Sequence, residues 1–165
     1  MNKAELNTNN ELFYTLYEAV WNDDIKMVKN CINLKANLNA HNEREWDETP
    51  LHCAAQWNRT EIASLLLDAG ADIESRNRCQ GTPLHTAINY MHLEVAKLFI
   101  ERKAEVNARD KNNKSPLHYL ISPPKAYFEE CIKLRNLLIK NNADIHAEDI
   151  NGATYAKDNK DPDMD

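Results

Sequence analysis

The chain has 165 residues, of which 42% are hydrophobic, and a formal net charge of -6. Its mean hydropathy of -0.68 suits an elongated fold with much surface, and its acidic balance disfavours nucleic acid and anionic membranes as partners. No apolar run approaches the roughly 20 residues that cross a bilayer, and the first ten residues lack the apolar core of a signal peptide, so we expect a cytoplasmic protein.

Two short motifs recur along the chain in the same phase. A Thr/Ser-Pro-Leu-His segment appears three times at intervals of 33 residues, and a second segment begins at Ala36, Ala71, Ala104 and Ala143. This regularity predicts a solenoid, in which each pair of short amphipathic helices buries its apolar face only by stacking on its neighbours. The copies of the first motif are Thr49-Pro50-Leu51-His52, Thr82-Pro83-Leu84-His85 and Ser115-Pro116-Leu117-His118.

The first helix of each unit begins at this motif. The Thr or Ser hydroxyl is placed to cap the helix, and the proline fits the first turn, where its missing N–H does no harm. The second helix carries apolar residues at i, i+3, i+4 spacing, which predicts one buried face. These stripes are Ile62, Leu65 and Leu66, then Val95, Leu98 and Phe99, then Leu134, Leu137 and Leu138.

The repeated motif resembles the ankyrin repeat family, which has a period of 33 residues and a Thr-Pro-Leu-His-x-Ala signature. The resemblance covers residues 12–157 and implies an all-α solenoid of paired antiparallel helices with β-hairpin or loop fingers. It places repeats at 12–44, 45–77, 78–110 and 111–149 and a partial C-terminal cap at 150–157. A polar segment, 1–11, precedes these repeats, and an acidic tail, 158–165, follows them.

The resemblance also implies two structural roles. Each motif histidine is expected to hydrogen-bond to the neighbouring finger, and a glycine is expected after the second helix. Gly70 is that glycine once, whereas Lys35, Lys103 and Asn142 replace it elsewhere. If those sites are left-handed, a lysine there costs roughly 1 kcal/mol, so we expect moderate stability.

Patterns typical of catalysis and metal binding are missing from the sequence. The three glycines are too scattered for a phosphate loop, and neither Gly-x-Ser-x-Gly nor His-Glu-x-x-His occurs. The four cysteines lie far apart without a Cys-x-x-Cys pair, which disfavours zinc, redox chemistry and disulfides. Helix packing separates His52, His85 and His118 by about 8–10 Å, too far to share a metal ion. We therefore expect no enzyme, no cofactor and no metal.

Function in such repeats is expected on the concave face and the finger tips. The second and third fingers form a basic patch in an acidic protein, made by Arg76, Arg78, Arg109, Lys111 and Lys114. Trp57 and Tyr90 end consecutive first helices, and Trp46 lies near the tip of the first finger. Because aromatic and arginine residues are enriched in binding hot spots, we predict a site for an acidic segment of a protein partner. The alternative is that the finger charges only solvate the surface.

Three further expectations follow. The last full repeat carries an insertion of six residues within 122–130, whose anchors would be Tyr127 and Phe128; it is either a binding loop or neutral. Asn107, in an Ala-x-Val-Asn-Ala setting, resembles ankyrin asparagines that are hydroxylated. We expect a monomer that binds a protein and neither nucleic acid nor membrane. The alternative function is an effector or inhibitor from an intracellular bacterium or virus, acting in the host cytoplasm by occupancy.

Overall fold

The computed structural model describes residues 3–121 and 127–158, with side chains described from Glu11 to Ile121 and from Tyr127 to Lys157. The acidic tail beyond Asp158 and residues 122–126 of the insertion lie outside this part of the chain. Eight α-helices and one 3₁₀ helix, Pro116–Leu120, form the described structure. The α-helices are α1 Lys3–Trp21, α2 Ile25–Asn33, α3 Pro50–Gln56, α4 Thr60–Asp68, α5 Pro83–Asn89, α6 Leu93–Glu101, α7 Phe128–Lys140 and α8 Tyr155–Asp158.

The helices stack in two layers, which confirms the predicted all-α solenoid. One layer consists of the first helices of each unit: α1 packs on α3, α3 on α5, and α5 on the 3₁₀ helix. The other layer consists of the second helices, with α2 on α4, α4 on α6 and α6 on α7. Each unit therefore contacts its sequence neighbours, as expected for a repeat array that buries a continuous core by stacking. Helix α1 begins at Lys3, within the polar segment 1–11 that precedes the predicted repeats.

Backbone chemistry explains where the first helices begin. Thr49, Thr82 and Ser115 are extended N-cap residues, each followed by a proline in the first helical turn. In all three units the histidine three residues later completes a reciprocal capping box with the N-cap residue. The box satisfies donors that a helix start otherwise leaves without partners.

The core fills the space between the two layers. Leu51, Ala54 and Ala55 of α3 are fully buried, and small residues at this face let the helices approach closely. In the second helices the buried stripe differs slightly from the predicted one. Leu65, Leu98 and Leu137 are only half-buried, whereas Ala63 and Ala96 are fully buried. In α4 and α6 the i+1 position is therefore fully buried, whereas the predicted i+3 position is only half-buried.

The residue after each second helix is left-handed. Gly70 has φ +95°, and Lys35, Lys103 and Asn142 have φ of 61°, 70° and 67°. The left-handed backbone on which the expected moderate stability depends is therefore present at all four positions. Because a side chain with a Cβ is strained in this region, the two lysines lower the stability of the array.

The last full repeat departs from the others. Its first helix is a 3₁₀ helix of five residues, where α3 and α5 are α-helices of seven. The two prolines that follow this helix in the sequence lie in 122–126, outside the described residues. After the insertion, α7 has 13 residues, and Tyr127 and Phe128 at its start are exposed.

None of the helices in the described ranges combines the length and the apolar character that a membrane-spanning segment requires.

Candidate partner-binding face

The fingers are joined to one another by backbone hydrogen bonds. The Arg78 N–H donates to the carbonyl oxygen of Trp46 (2.8 Å), and the Lys111 N–H donates to that of Cys79 (2.9 Å). The Ile150 N–H continues the series to the carbonyl oxygen of Asn112 (3.0 Å). These backbone hydrogen bonds therefore connect four successive fingers into one rim.

One side chain closes each of the later fingers. Asn77, Asp110 and Asp149 each accept two backbone N–H groups of their own finger, at 2.7 to 3.0 Å. These three residues stand five positions before Thr82, Ser115 and Thr154, so the repeat register alone could have identified them. The bonds from Asn151 and Ala153 lower the pKa of the Asp149 carboxyl, because they favour its charged form.

Two of the predicted partner-binding arginines link one finger to the next. The Arg76 Nη1 donates to the carbonyl oxygens of Gln80 (2.9 Å) and Arg109 (2.8 Å). Arg109 repeats the arrangement one unit later, donating to the carbonyl oxygen of Asn113 (2.9 Å) and, at 3.5 Å, to that of Glu148. Both guanidinium groups are partly buried. Their first role is structural, and only their remaining N–H groups are available to a ligand.

Arg78 is held between the first two fingers. Its guanidinium donates to both carboxylate oxygens of Asp47, at 3.0 and 3.4 Å, and to the carbonyl oxygen of Glu43 at 3.2 Å. It also lies 6.0 Å from the centre of the Trp46 ring, within the range of a cation–π contact. The hydrogen bond from Arg78 lowers the pKa of the Asp47 carboxyl. The guanidinium charge of Arg78, which we predicted to be available to a partner, is therefore already paired with the Asp47 carboxylate.

Lys111 and Lys114 of the third finger are in a different situation. Lys111 is exposed, Lys114 is half-buried, and neither ammonium group forms an ion pair with a described residue. The nearby carboxylate of Asp110 is buried and already accepts backbone N–H groups and the hydroxyl of Tyr119 (2.7 Å). The lysines of the predicted basic patch that have no ion-pair partner among the described residues are therefore both on the third finger.

Three aromatic side chains form an exposed row along the ends of the first helices. We call Trp21, Trp57 and Tyr90 the aromatic row. The rings of Trp21 and Trp57 stack with centroids 5.9 Å apart, and Gln56 Nε2 donates to the Tyr90 hydroxyl (3.1 Å). The three side chains remain 48%, 43% and 45% exposed. Sequence reasoning identified Trp57 and Tyr90 but missed Trp21, which ends α1 much as Trp57 directly follows α3.

A groove lies between the fingers and the first helices. Its volume is about 290 Å³, and its walls include Trp46 and Cys79 from the fingers, Asn89 and Tyr90 at the end of α5, and Tyr119 from the 3₁₀ helix. The Trp46 side chain is 63% exposed, and its backbone is left-handed, with φ 54°. A left-handed bulky residue is uncommon and costs free energy, and such strain is often found at functional sites.

Glu48, a buried carboxylic acid, also lines this groove. The Tyr17 hydroxyl donates to its Oε2 over a long 3.5 Å, and its side chain is only 9% exposed. Burial raises the pKa of Glu48 to about 7, with Glu45 adding to the effect. Burial likewise raises the pKa of Tyr17 and raises the pKa of Cys53 to about 12, so these two neighbours stay neutral. The sequence gives no sign of this cluster.

The three motif histidines lie in the interior. His52 and His85 each accept the N–H of the N-cap residue at Nδ1, at 3.4 and 3.1 Å, so the proton is on Nε2. Nε2 then donates to the carbonyl oxygen of Gly81 or Lys114, both at 3.1 Å. Burial lowers the pKa of both rings to about 4, which keeps them neutral. His118 makes the same contact with Ser115 (3.1 Å), but its Nε2 finds no hydrogen-bond partner among the described residues.

Asn107, the candidate for hydroxylation, joins the last two full repeats. Its Nδ2 donates to the carbonyl oxygen of Asn142 (2.9 Å), and its Oδ1 accepts the N–H of Asp144 (2.8 Å). Asn39 occupies the same position of the first repeat and accepts the N–H of Asp72 at 2.8 Å. The side chain is thus part of the junction between repeats.

No group of His, Cys, Asp and Glu side chains in the described ranges is arranged to hold a metal ion. The four cysteines are all free thiols, and Cys31, Cys53 and Cys131 are buried.

Comparison with known proteins finds repeats of one family. The family model described as ankyrin repeats (many copies) matches residues 66–120, and the ankyrin repeat model matches residues 46–78. The chain is similar to ankyrin repeat and SOCS box protein 5 of Mus musculus, with 52% identity over 44 residues. It is also similar to the 2-5A-dependent ribonuclease of Homo sapiens, with 42% identity over 59 residues.

These similarities are confined to short stretches. The match to the mouse protein covers 27% of this chain and 13% of the relative, and the match to the human ribonuclease covers 36% and 8%. The chain therefore spans only a small part of the length of the curated relatives that it matches.

Proposed function

Because this chain is an ankyrin repeat protein, we propose that it works without catalysis, as a module that binds another protein. Ankyrin repeats indicate protein–protein interaction in general, and the face described above supports a specific location for the contact. The observation that carries the proposal is the aromatic row beside the groove. Trp21, Trp57 and Tyr90 keep nearly half of their surface exposed although each packs against a neighbour. Trp and Tyr in such semi-buried positions are the residues that contribute most to binding hot spots.

The contact would extend from the aromatic row to the fingers. Trp46 lies across the groove from Tyr90, so a bound segment that covers the row also reaches the first finger. The packing of the rings holds them in place before binding, which lowers the entropy cost of association. A partner segment with apolar side chains at the row would bury the surface that the array leaves exposed.

The prediction of an acidic partner segment rests on the third finger. Lys111 and Lys114 form no ion pair with a described residue, and Arg109 adds a partly engaged guanidinium beside them. We propose that acidic residues of the partner meet this finger, whereas Arg76 and Arg78 contribute mainly by fixing the rim. Such contacts at the edge of an interface change the association rate and its salt dependence more than the final affinity.

Affinity capture tests this location. The tagged protein is incubated with lysate of the cells that express it, and captured proteins are compared between wild type, Trp57→Ala and Phe128→Ala. Phe128 is the matched control because it is an exposed aromatic residue, 61% accessible, at the start of α7. We expect Trp57→Ala to lose the partner and Phe128→Ala to keep it. The reverse result would place the contact at the insertion and contradict the proposal.

The narrower role of an effector or inhibitor uses the same face. It is supported only by the Asn-, Lys- and Ile-rich composition, which is typical of AT-rich genomes of intracellular bacteria and some viruses. In that role the module would occupy the site on a host protein that another ligand needs. Competition between this chain and the natural ligand of the captured partner tests it, and simultaneous binding of both would contradict it.

Hydroxylation of Asn107 is a separate proposal about modification. The side chain is half-buried and bonded on both amide atoms to the next repeat. A hydroxylase would need this junction to open before it could reach the β-carbon. Intact-mass measurement after treatment with an asparaginyl hydroxylase tests it: a gain of one oxygen atom that is lost in Asn107→Ala supports the proposal, and an unchanged mass contradicts it.

A further inference from the structure

The groove between Trp46 and Tyr90 has an uneven chemical character. Three of the ten residues that line it are Trp or Tyr, namely Trp46, Tyr90 and Tyr119, around a space of about 290 Å³. Glu48 is the one carboxylic acid that lines it, and no lysine or arginine does so among the described residues. The local character of the groove is therefore aromatic and anionic, in contrast to the basic third finger nearby.

The neighbouring cations do not neutralise this carboxylate. Arg78 donates to Asp47 and Glu43, and Arg76 donates to the carbonyl oxygens of Gln80 and Arg109. His85 also lines the groove, but its Nε2 is bonded to the Lys114 carbonyl and its ring is neutral. Within the described structure, the hydrogen bond from Tyr17 is the one side-chain partner of Glu48, and it is 3.5 Å long.

Burying the carboxyl group of Glu48 in this groove costs free energy. Glu48 is only 9% exposed, and a buried carboxylate without a cation is destabilised relative to water. Trp46 adds backbone strain at the other wall of the same groove. Two unfavourable features meet here. The contact that Glu48 receives from Tyr17 is long and brings no cation to the carboxylate, which is the partner that a ligand would supply.

We propose that the groove binds the side chain of an arginine from the partner segment, with its guanidinium between the rings of Trp46 and Tyr90 and its N–H groups on the Glu48 carboxylate. This inference rests on the proposed function and names the chemistry of the partner at one point of the face. A planar guanidinium suits the site because it stacks on aromatic rings and can donate two parallel hydrogen bonds to a carboxylate. The Trp46 ring already lies near one guanidinium, that of Arg78.

The partner segment would then carry charges of both signs. A basic side chain enters the groove, and acidic residues further along the segment meet Lys111 and Lys114. The pKa of Glu48 of about 7 agrees with this role, because a bound cation would favour the charged carboxylate that burial disfavours. The titratable groups that face Glu48 are Tyr17 from α1, Cys53 from α3 and Glu45 from the first finger. Binding is therefore expected to strengthen as the pH rises from 6 to 8.

The test titrates small probes into the full chain and follows the indole N–H signal of Trp46 by NMR. The probes are the amides of Nα-acetyl-arginine, Nα-acetyl-citrulline, Nα-acetyl-lysine and Nα-acetyl-glutamate. We expect saturable binding of the arginine probe with a Kd of roughly millimolar order, as for a single side chain, and about tenfold weaker binding of citrulline, its neutral isostere. Equal binding of arginine and citrulline, tighter binding of lysine, or binding of the glutamate probe would overturn the proposal.

Two variants extend the test to the residues themselves. Glu48→Gln keeps the shape of the side chain and should weaken arginine binding about tenfold, whereas Glu43→Gln removes an exposed acid of the same finger and should leave it unchanged. Equal loss in both variants would indicate a general charge effect and contradict the site. Because the comparison of arginine with citrulline uses the wild-type chain, the result does not depend on how a variant folds.

The outcome is separable from that of the proposed function. If Trp57→Ala abolishes partner capture but the arginine probe does not bind, the aromatic row is the contact and the groove is not an arginine site. If the arginine probe binds and Trp57→Ala captures the partner normally, the groove is a site but the row is not the contact.

Discussion

The indole rings of Trp21 and Trp57 stack with their centroids 5.9 Å apart and their planes inclined by 19°. Trp21 is the last residue of α1, and Trp57 follows the last residue of α3, so the stack connects the first helices of two consecutive units. Both rings remain nearly half exposed. The pair therefore combines a role in stacking the repeats with a surface that a partner can cover.

The stack should be measurable as a coupling energy. We expect Trp21→Ala and Trp57→Ala each to lower the free energy of unfolding by about 1–2 kcal/mol, because each removes a half-buried ring. The double variant should lose less than the sum, with a coupling of about 0.5–1.5 kcal/mol for the aromatic pair. Denaturant unfolding of the four proteins measures this cycle. Strict additivity would show that the rings do not stabilise each other.

Glycine at the left-handed sites should stabilise the array. We expect Lys103→Gly to raise the free energy of unfolding by about 0.5–1 kcal/mol, because φ of 70° strains a residue with a Cβ. Gly70→Lys is the matched reverse change at the same position of another repeat and should destabilise by a similar amount. Urea titration measures both. A loss of stability in Lys103→Gly would mean that the lysine side chain makes a compensating contact.

Acid should unfold the protein through the buried histidines. The pKa values of His52 and His85 are lowered to about 4, so the unfolded chain binds more protons than the folded one between about pH 6.5 and 4. Stability is therefore fully present above about pH 6.5 and is lost as the pH falls through this window, by about 2 kcal/mol for each histidine at pH 5. Unfolding curves at a series of pH values measure the loss. They are recorded in Glu48→Gln, because the titration of Glu48 changes stability in the opposite direction over this range. Equal stability of this variant at pH 7 and pH 5 would contradict the prediction.

The titration of Glu48 should change stability with pH in the direction opposite to that of the histidines. Its pKa is raised to about 7 in the folded chain, so the native state disfavours the carboxylate and stability is lost as the pH rises from about 4.5 through 7. We expect Glu48→Gln to be more stable than wild type by roughly 3 kcal/mol at pH 8, with the difference falling below about 1 kcal/mol at pH 5, where the acid is protonated in the folded chain. The same series of unfolding curves measures it. A constant difference across this range would show that Glu48 does not titrate there.

Asn107 should contribute to stability through the junction of the last two full repeats. Asn107→Ala removes the acceptor of the Asp144 N–H and the donor to the Asn142 carbonyl, and should cost about 1–3 kcal/mol. Asn136→Ala, an exposed asparagine on α7, is the control and should change stability little. Thermal unfolding compares the two. Hydrogen exchange that rises only in residues 104–147 of Asn107→Ala would locate the effect at this junction.

The sequence by itself determined the repeat register and the local structure of each unit. The Thr-Pro-Leu-His segments gave the helix starts, because an N-cap hydroxyl and a first-turn proline act within a few residues. The spacing of the apolar residues gave two helices per unit and the solenoid. The left-handed sites at Lys35 and Lys103 followed from alignment with Gly70, since equivalent positions of stacked units share a backbone.

Only the tertiary structure decided which side chains of the face are open to a partner. The donors of Arg76, Arg78 and Arg109 are directed to groups 31 to 39 residues away, or to their own finger, and no local pattern encodes which of these contacts forms. The burial of Glu48 and the stacking of Trp21 on Trp57 likewise arise where separate units meet. The sequence specifies which residues are charged or aromatic. The packing of neighbouring repeats sets how exposed each side chain is and which groups it contacts, and this exposure and these contacts decide what the side chain can bind.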